Sequence, residues 1–109
     1  MRIYDIIEKK RDGYKLTKEE IDFFVQEYTN DKIEDYQASA LLMAIFINGM
    51  DEEETVNLTE SMAKSGDMLD LSAIEGITAD KHSTGGVGDK TSLVVAPICA
   101  SLGIKMAKM

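Results

Sequence analysis

Apolar residues in the first two thirds of the chain recur every three or four positions, which is the spacing of one face of an α-helix. Ile3, Ile6 and Ile7 form the first such face, and Gly13 stands where a helix would end. Three more helices are predicted from apolar positions at Ile21, Phe24, Val25 and Tyr28, at Leu41, Leu42, Ile45 and Phe46, and at Val56, Leu58, Met62 and Ala63. The pattern therefore predicts an all-helical domain over residues 1–66.

Polar residues mark the points where these helices begin. Thr17-Lys-Glu-Glu20 has the form of a capping box, in which the threonine oxygen accepts one backbone N–H and the glutamate reaches back to another. Asp35 is predicted to cap the third helix. Asp51 to Glu54 open the fourth, where the helix dipole favours carboxylates, and this explains the four acids better than a metal site does.

The pattern changes after residue 66, because Asp70, Ser72 and Gly76 interrupt any regular period. The segments predicted there are a linker over residues 67–76, a strand over 77–81, a helix over 91–101 and a strand over 104–109. Strand, glycine-rich loop, helix and strand make a βαβ unit, with the loop at the carboxyl end of its first strand. The predicted fold class is α+β: an all-helical domain, then the first βαβ element of a truncated α/β domain at residues 77–109.

Two features of this second part should weaken it. Pro97 lies inside the predicted helix and should kink it, because proline has no N–H to bond the carbonyl of Leu93. Two parallel strands are also too few to be covered on both faces. We expect residues 77–109 either to fray or to pack against another chain.

Charge and composition narrow the class of protein. The formal net charge is −8, which argues against a nucleic-acid partner because phosphate backbones need a basic surface. Residues 1–76 carry 8 basic and 18 acidic side chains, whereas residues 77–109 carry 4 basic and 2 acidic ones. No apolar run approaches the ~20 residues of a membrane span, and no secretory leader is recognisable. Cys99 is the only cysteine and is expected to be a buried thiol, so a cytoplasmic protein is predicted.

The segment from residue 81 to residue 92 concentrates groups that hold a phosphate. Its glycines free the backbone to bend and to present N–H groups, and its hydroxyls and lysines donate hydrogen bonds and charge. These residues are Gly85, Gly86 and Gly88, then Ser83, Thr84, Thr91 and Ser92, then Lys81 and Lys90. An apolar run follows, so the loop is predicted to open a helix whose N-terminus favours an anion.

Two familiar phosphate-binding patterns do not fit this loop. The P-loop pattern would place glycines where Thr84 and Asp89 stand, and an aspartate would repel a nucleotide phosphate. The dinucleotide fingerprint begins well at Gly86 and Gly88 but ends on Thr91 instead of a third glycine.

Residues 80–89, Asp-Lys-His-Ser-Thr-Gly-Gly-Val-Gly-Asp, resemble the signature of the pyrimidine-nucleoside phosphorylases, the family that includes thymidine phosphorylase. The similarity extends to the segments at 1–13, 16–20, 35–39 and 65–71, and so covers essentially the whole chain. Members of this family run to roughly 400 residues in several domains, well beyond the length of one domain. The resemblance therefore implies an N-terminal fragment, which is expected to be inactive by itself.

The resemblance implies phosphorolysis of a pyrimidine nucleoside by inorganic phosphate, giving the free base and a pentose 1-phosphate. It assigns phosphate binding to Lys81, His82, Ser83 and Ser92, and to Lys108 and Met109, which begin a second phosphate-contacting segment. His82, the only histidine, would also be the catalytic residue that assists the departing base.

The family also implies a potassium ion, a homodimer and no organic cofactor. The potassium ion would be held by the backbone carbonyls of Gly88 and Lys90. The homodimer would form through the helical domain, so that some apolar stripes are expected to lie in an interface.

Two alternatives remain open on sequence grounds. One is a glycosyltransferase of the same fold that resembles anthranilate phosphoribosyltransferase, whose related Gly-Thr-Gly-Gly-Asp loop binds a pyrophosphorylated sugar. Val87 and Gly88, which stand between Gly86 and Asp89, favour the phosphorylase. The other alternative is a non-enzymatic helical dimerisation module with a disordered tail.

Overall fold

The computed structural model describes residues 1–82 and 90–107, and within them the chain forms five helices and two short strands. In chain order these are α1 (Ile3–Arg11), α2 (Lys18–Thr29), α3 (Asp35–Asn48), α4 (Glu52–Ser65), β1 (Thr78–Ala79), α5 (Lys90–Ser101) and β2 (Lys105–Met106). The chain divides into two compact units, residues 1–68 and residues 69–109. An all-helical part thus precedes a short α/β part, which confirms the predicted fold class.

The helical unit is held together by two helix pairs, α1 with α3 and α2 with α4. The apolar faces predicted for α1 and α2 supply much of its core, in which Ile6 and Ile21 are almost completely buried. The buried core residues are Ile3, Ile6, Leu16, Ile21, Phe24, Val25, Ile33, Ala38 and Leu41. Burial of apolar surface at these positions is the main force that stabilises the unit.

Capping boxes begin α2 and α4, and the same pattern recurs at α3. At α2, the Thr17 hydroxyl accepts the Glu20 N–H at 3.3 Å, and Glu20 Oε2 accepts the Thr17 N–H at 2.8 Å, which confirms the prediction. At α4, Asp51 Oδ1 accepts the Glu54 N–H at 2.8 Å, and Glu54 Oε2 accepts the Asp51 N–H at 3.0 Å. Each box satisfies backbone donors that a helix start leaves without an intrahelical partner.

The prediction that Asp35 caps α3 is wrong by one residue. Glu34 is the N-cap, with the extended backbone of that position (φ −72°, ψ 149°), and Asp35 is the first helical residue. Gln37 accounts for the shift, because its Oε1 accepts the Glu34 N–H at 3.2 Å. This contact spans three residues, as the return half of a capping box does.

The apolar face predicted for α4 is also wrong in part. Val56 and Met62 are 63% and 60% exposed, and the buried positions of this helix are Glu54 and Ser61. Leu58 alone of the predicted set packs against the core. The helix is turned this way because Glu54 forms a buried ion pair across the helical unit.

The apolar stripe of α3 divides between two sides of the helix. Leu41 is fully buried and Ile45 packs against the core, as predicted. Leu42 and Phe46 were expected on the same face but are 53% and 83% exposed. We call Leu42, Met43, Phe46 and Ile47 the α3 outer face, since all of them are exposed. A helix that is apolar on both sides has more hydrophobic surface than the core of this unit covers.

The second unit is a βαβ element. Its strands are parallel, with Thr78 opposite Lys105 and Ala79 opposite Met106. The Ala107 N–H donates to the Ala79 carbonyl at 2.8 Å and continues the ladder past β2. The parallel βαβ arrangement is as predicted, but each strand has two residues and is shorter than the predicted segments at 77–81 and 104–109.

The helix of this unit, α5, runs without interruption through Pro97. Cys99 is only half-buried, so the expectation of a buried thiol is wrong. Other apolar residues of this helix are not buried either, since Leu93 and Val94 are 79% and 60% exposed. Before β1, a hydrogen bond of 3.0 Å from the Ile74 N–H to the Leu71 carbonyl forms a short turn within the predicted linker.

Candidate phosphate-binding site

Two residues that the sequence assigned to phosphate lie together in the second unit. Lys81 follows the end of β1, and Ser92 lies in the first turn of α5. Lys81 Nζ donates a hydrogen bond to Ser92 Oγ at 3.0 Å, although eleven positions separate the two residues. Ser92 is buried to 9% exposure, so its hydroxyl is held in place by the surrounding structure. Their role toward phosphate stays a prediction, but their proximity is a feature of the fold.

This pair has the chemistry of an anion site. A lysine ammonium group has three N–H donors, and a hydroxyl that accepts from it can still donate its own hydrogen. The pair also lies at the N-terminus of a twelve-residue helix, where backbone N–H groups lack intrahelical partners and the dipole is positive. Charge-assisted hydrogen bonds of this kind orient a phosphate oxygen more strongly than neutral ones do.

Asp80 is a polar residue of this region that the sequence did not assign to the site. Its Oδ1 accepts the backbone N–H of Lys81 at 2.8 Å, directly after the last residue of β1. The signal was present, because a carboxylate stands immediately before the lysine.

Of the other residues assigned to the site, the structure describes only some. His82 is exposed and directly follows Lys81. Ser83, Gly88, Lys108 and Met109 lie outside the described residues, so nothing in the structure bears on their predicted roles.

Lys90 is the one described member of the predicted potassium set, and it is the exposed first residue of α5. Over residues 1–82 and 90–107, no group of three or more acidic, histidine or cysteine side chains could hold a metal ion. In the same ranges, no helix is both long and apolar enough to cross a membrane.

Comparison with known proteins defines the class of this chain. Residues 4–66 match the model of the helical bundle domain of a glycosyl transferase family, and residues 75–109 match the model of the a/b domain of a glycosyl transferase family. The chain therefore belongs to the glycosyl transferase family.

Individual relatives carry a more specific name than the family models do. The chain is 63% identical over all 109 residues to a pyrimidine-nucleoside phosphorylase of Geobacillus stearothermophilus. It is 62% identical to the protein of that name from Staphylococcus haemolyticus and 57% identical to that of Staphylococcus aureus, again over its whole length. It is thus similar to pyrimidine-nucleoside phosphorylases, in agreement with the resemblance of residues 80–89. The chain spans 25% of the length of each of these relatives.

Proposed function

We propose that this chain supplies the helical domain and one wall of the phosphate site of a pyrimidine-nucleoside phosphorylase. That enzyme would cleave a pyrimidine nucleoside with inorganic phosphate to the free base and ribose or deoxyribose 1-phosphate. The observation that carries the proposal is the 3.0 Å hydrogen bond between Lys81 Nζ and Ser92 Oγ. It joins the end of β1 to the start of α5, which is the edge where open α/β sheets bind ligands. The relatives named pyrimidine-nucleoside phosphorylase, at 57% to 63% identity, support the same enzyme.

This reaction has chemical requirements that Lys81, Ser92 and His82 could meet. A phosphate oxygen attacks the anomeric carbon while the bond from that carbon to the base nitrogen breaks, so phosphate must be oriented and partly stripped of water. The Lys81 ammonium group and the Ser92 hydroxyl would donate to it. The base leaves with the bonding electron pair and needs a proton or a hydrogen bond. His82 would provide it, because it adjoins Lys81 and its imidazole ring can donate a hydrogen bond.

Several predicted contacts belong to the same proposal. Ser83, Lys108 and Met109 would add donors to the phosphate. A potassium ion on the backbone carbonyls of Gly88 and Lys90 would supply positive charge to the loop. The exposure of Lys90 is compatible with this, since its ammonium group can be solvated while its backbone binds a cation.

The homodimer is the remaining part of the proposal. A second copy of the chain would cover the α3 outer face, where Phe46 is 83% and Ile47 is 71% exposed. Burying such side chains is a main source of stability in oligomer interfaces.

A chimeric enzyme tests the activity. In the Geobacillus stearothermophilus pyrimidine-nucleoside phosphorylase, the segment that this chain matches is replaced by this chain. Release of uracil from uridine and of thymine from thymidine is then measured with and without phosphate. We expect phosphate-dependent release of base from the chimera, and none from the 109-residue chain alone.

The parent enzyme and a thermal unfolding curve of the chimera are the controls. A chimera that folds cooperatively yet releases no base would contradict the proposal and favour the non-enzymatic dimerisation module.

Variants of the chimera test the site itself. Lys81→Met and Ser92→Ala should each raise the KM for phosphate, Lys81→Met by about tenfold to a hundredfold because it removes a charged donor. Ser101→Ala is the matched control, since this serine ends α5 and its hydroxyl donates to the Ile98 carbonyl of its own helix, at 2.6 Å. Equal effects of Ser92→Ala and Ser101→Ala would remove Ser92 from the phosphate site.

A further inference from the structure

Asp80 lies between the end of β1 and Lys81 of the candidate phosphate site. Among the described residues, the last hydrogen bond that continues the ladder of β1 and β2 runs from the Ala107 N–H to the Ala79 carbonyl, at 2.8 Å. Beyond β1, the backbone N–H of Lys81 donates to Asp80 Oδ1 at 2.8 Å. The carboxylate thus accepts a hydrogen bond from the peptide group between Asp80 and Lys81, just beyond β1.

Charge alone gives no reason for an acid at this position. A carboxylate repels a phosphate and lowers its affinity. Its benefit must therefore lie in what the carboxylate does to its neighbours. A hydrogen bond from a backbone N–H to a carboxylate is stronger than one to a neutral oxygen, so it fixes the peptide group firmly.

We infer that Asp80 is a positioning residue for phosphate binding, acting through Lys81. Ser92 is 9% exposed and held in the first turn of α5, so it cannot follow a lysine that moves. The orientation of the peptide group between Asp80 and Lys81 sets the direction in which the Lys81 side chain leaves the backbone, and from there its ammonium group reaches Ser92 Oγ at 3.0 Å. This inference rests on the proposed function, because phosphate is taken as the ligand.

Two substitutions separate position from charge in the chimeric enzyme. Asp80→Asn keeps the Oδ1 acceptor and removes the negative charge, whereas Asp80→Ala removes both. We expect Asp80→Ala to raise the KM for phosphate about tenfold, which is the worth of one good hydrogen bond, with a smaller change in kcat and in the KM for uridine. For Asp80→Asn, we expect a KM for phosphate equal to or below that of the chimera that keeps Asp80.

Asp70→Ala is the matched control, because Asp70 Oδ1 likewise accepts a backbone N–H, that of Ser72, at 2.9 Å. It should leave the KM for phosphate unchanged. The inference is overturned if Asp80→Asn and Asp80→Ala raise this KM equally, or if neither changes it.

A second measurement does not depend on catalysis. In the 109-residue chain, the Lys81 amide resonance should move upfield and its hydrogen exchange should accelerate in Asp80→Ala but not in Asp80→Asn. The Ser72 amide in Asp70→Ala shows the size of change that losing such a bond produces. An unchanged Lys81 amide in Asp80→Ala would overturn the inference even if the chimera is active. An inactive chimera with the expected amide changes would instead contradict the proposed function and leave the Asp80 contact supported.

Discussion

The carboxylate of Glu54 joins three parts of the helical unit. It is 2% exposed and accepts hydrogen bonds from Lys10 Nζ at 2.8 Å, from the Leu16 N–H at 2.8 Å and from the Asp51 N–H at 3.0 Å. A buried carboxylate without such partners would be strongly unfavourable. Lys10 is equally dependent on Glu54, because it is 3% exposed. The start of α4 is therefore tied to α1 and to the segment before α2.

Removing Glu54 should destabilise the unit severely. Glu54→Ala leaves the Lys10 charge buried without its partner, and we expect the free energy of unfolding to fall by about 3–5 kcal/mol. Urea denaturation followed by helical circular dichroism measures this. Glu53→Ala is the matched control, since the side chain of Glu53 is 71% exposed and pairs with Lys15 at the surface. The two substitutions having the same effect would contradict the structural role of Glu54.

The same carboxylate should make stability depend on pH. Burial by itself raises the pKa of Glu54, but the hydrogen bonds from Leu16, Lys10 and Asp51 outweigh it and hold this pKa below the ordinary value of 4.5. In the acid range the unfolded chain then binds a proton more readily than the folded chain, so the free energy of unfolding falls as pH falls. The contribution of Glu54 is complete above pH 4.5 and is lost as pH falls through the lower pKa of the folded state.

Urea midpoints measured from neutral pH into this range should fall more steeply for the parent chain than for Glu54→Gln. Parallel curves would show that Glu54 does not carry this dependence.

At the scale of elements, the ends of α3 and α4 differ in what they demand of a glycine. Gly49 follows α3 with φ +73° and ψ 176°, a backbone conformation that residues with a side chain rarely adopt. Gly66 follows α4 in an extended conformation, with φ −108° and ψ −176°. At neither glycine would an added Cβ meet an atom within 4 Å, so backbone strain alone separates the two sites.

Alanine should therefore destabilise the protein at Gly49 but not at Gly66. Gly49→Ala should lower the free energy of unfolding by about 1–3 kcal/mol through strain. Gly66→Ala should leave it unchanged or raise it by up to about 1 kcal/mol, because alanine reduces the entropy of the unfolded chain. Thermal and urea unfolding of the two variants make the comparison. Equal destabilisation by both would show that the conformation at Gly49 is not what requires glycine.

These elements also show what the sequence could reveal. The start of α2 was predictable because its capping box is settled within four neighbouring residues, Thr17 to Glu20. The rotation of α4 was not, because it follows from the pairing of Glu54 with Lys10, a residue 44 positions away. Local periodicity alone predicts that Glu54 lies at the surface and Val56 in the core. Because Glu54 forms the buried ion pair, Glu54 is buried and Val56 is exposed instead.

The candidate site likewise has features that the sequence indicated and one that it could not predict. The family resemblance assigned both Lys81 and Ser92 to phosphate, and the predicted βαβ unit is compatible with their contact, because such a unit brings the end of its first strand near the start of its helix. The contact from Asp80 to the Lys81 N–H was not predictable, because it depends on where the ladder of two-residue strands stops. Strand ends are among the features that sequence patterns define least well.

At the scale of the whole molecule, apolar surface and charge act against each other. The α3 outer face offers a second copy large side chains to bury. The formal net charge of −8 repels that copy, and the repulsion is screened by salt. An interface made mainly by apolar contacts should consequently tighten as salt is added, whereas one made by ion pairs should weaken.

A charge placed on the α3 outer face should break the proposed homodimer. Phe46→Glu removes a side chain whose burial is worth about 1.5–3 kcal/mol, and it does so in both copies, so the dissociation constant should rise at least about a hundredfold. Met62→Glu is the matched control, because Met62 is 60% exposed on α4 and the substitution adds the same charge. Sedimentation velocity over a range of protein and salt concentrations measures both variants beside the parent chain. A parent chain that stays monomeric at every concentration, or a dimer that Met62→Glu weakens as much as Phe46→Glu does, would rule out the α3 outer face as the interface.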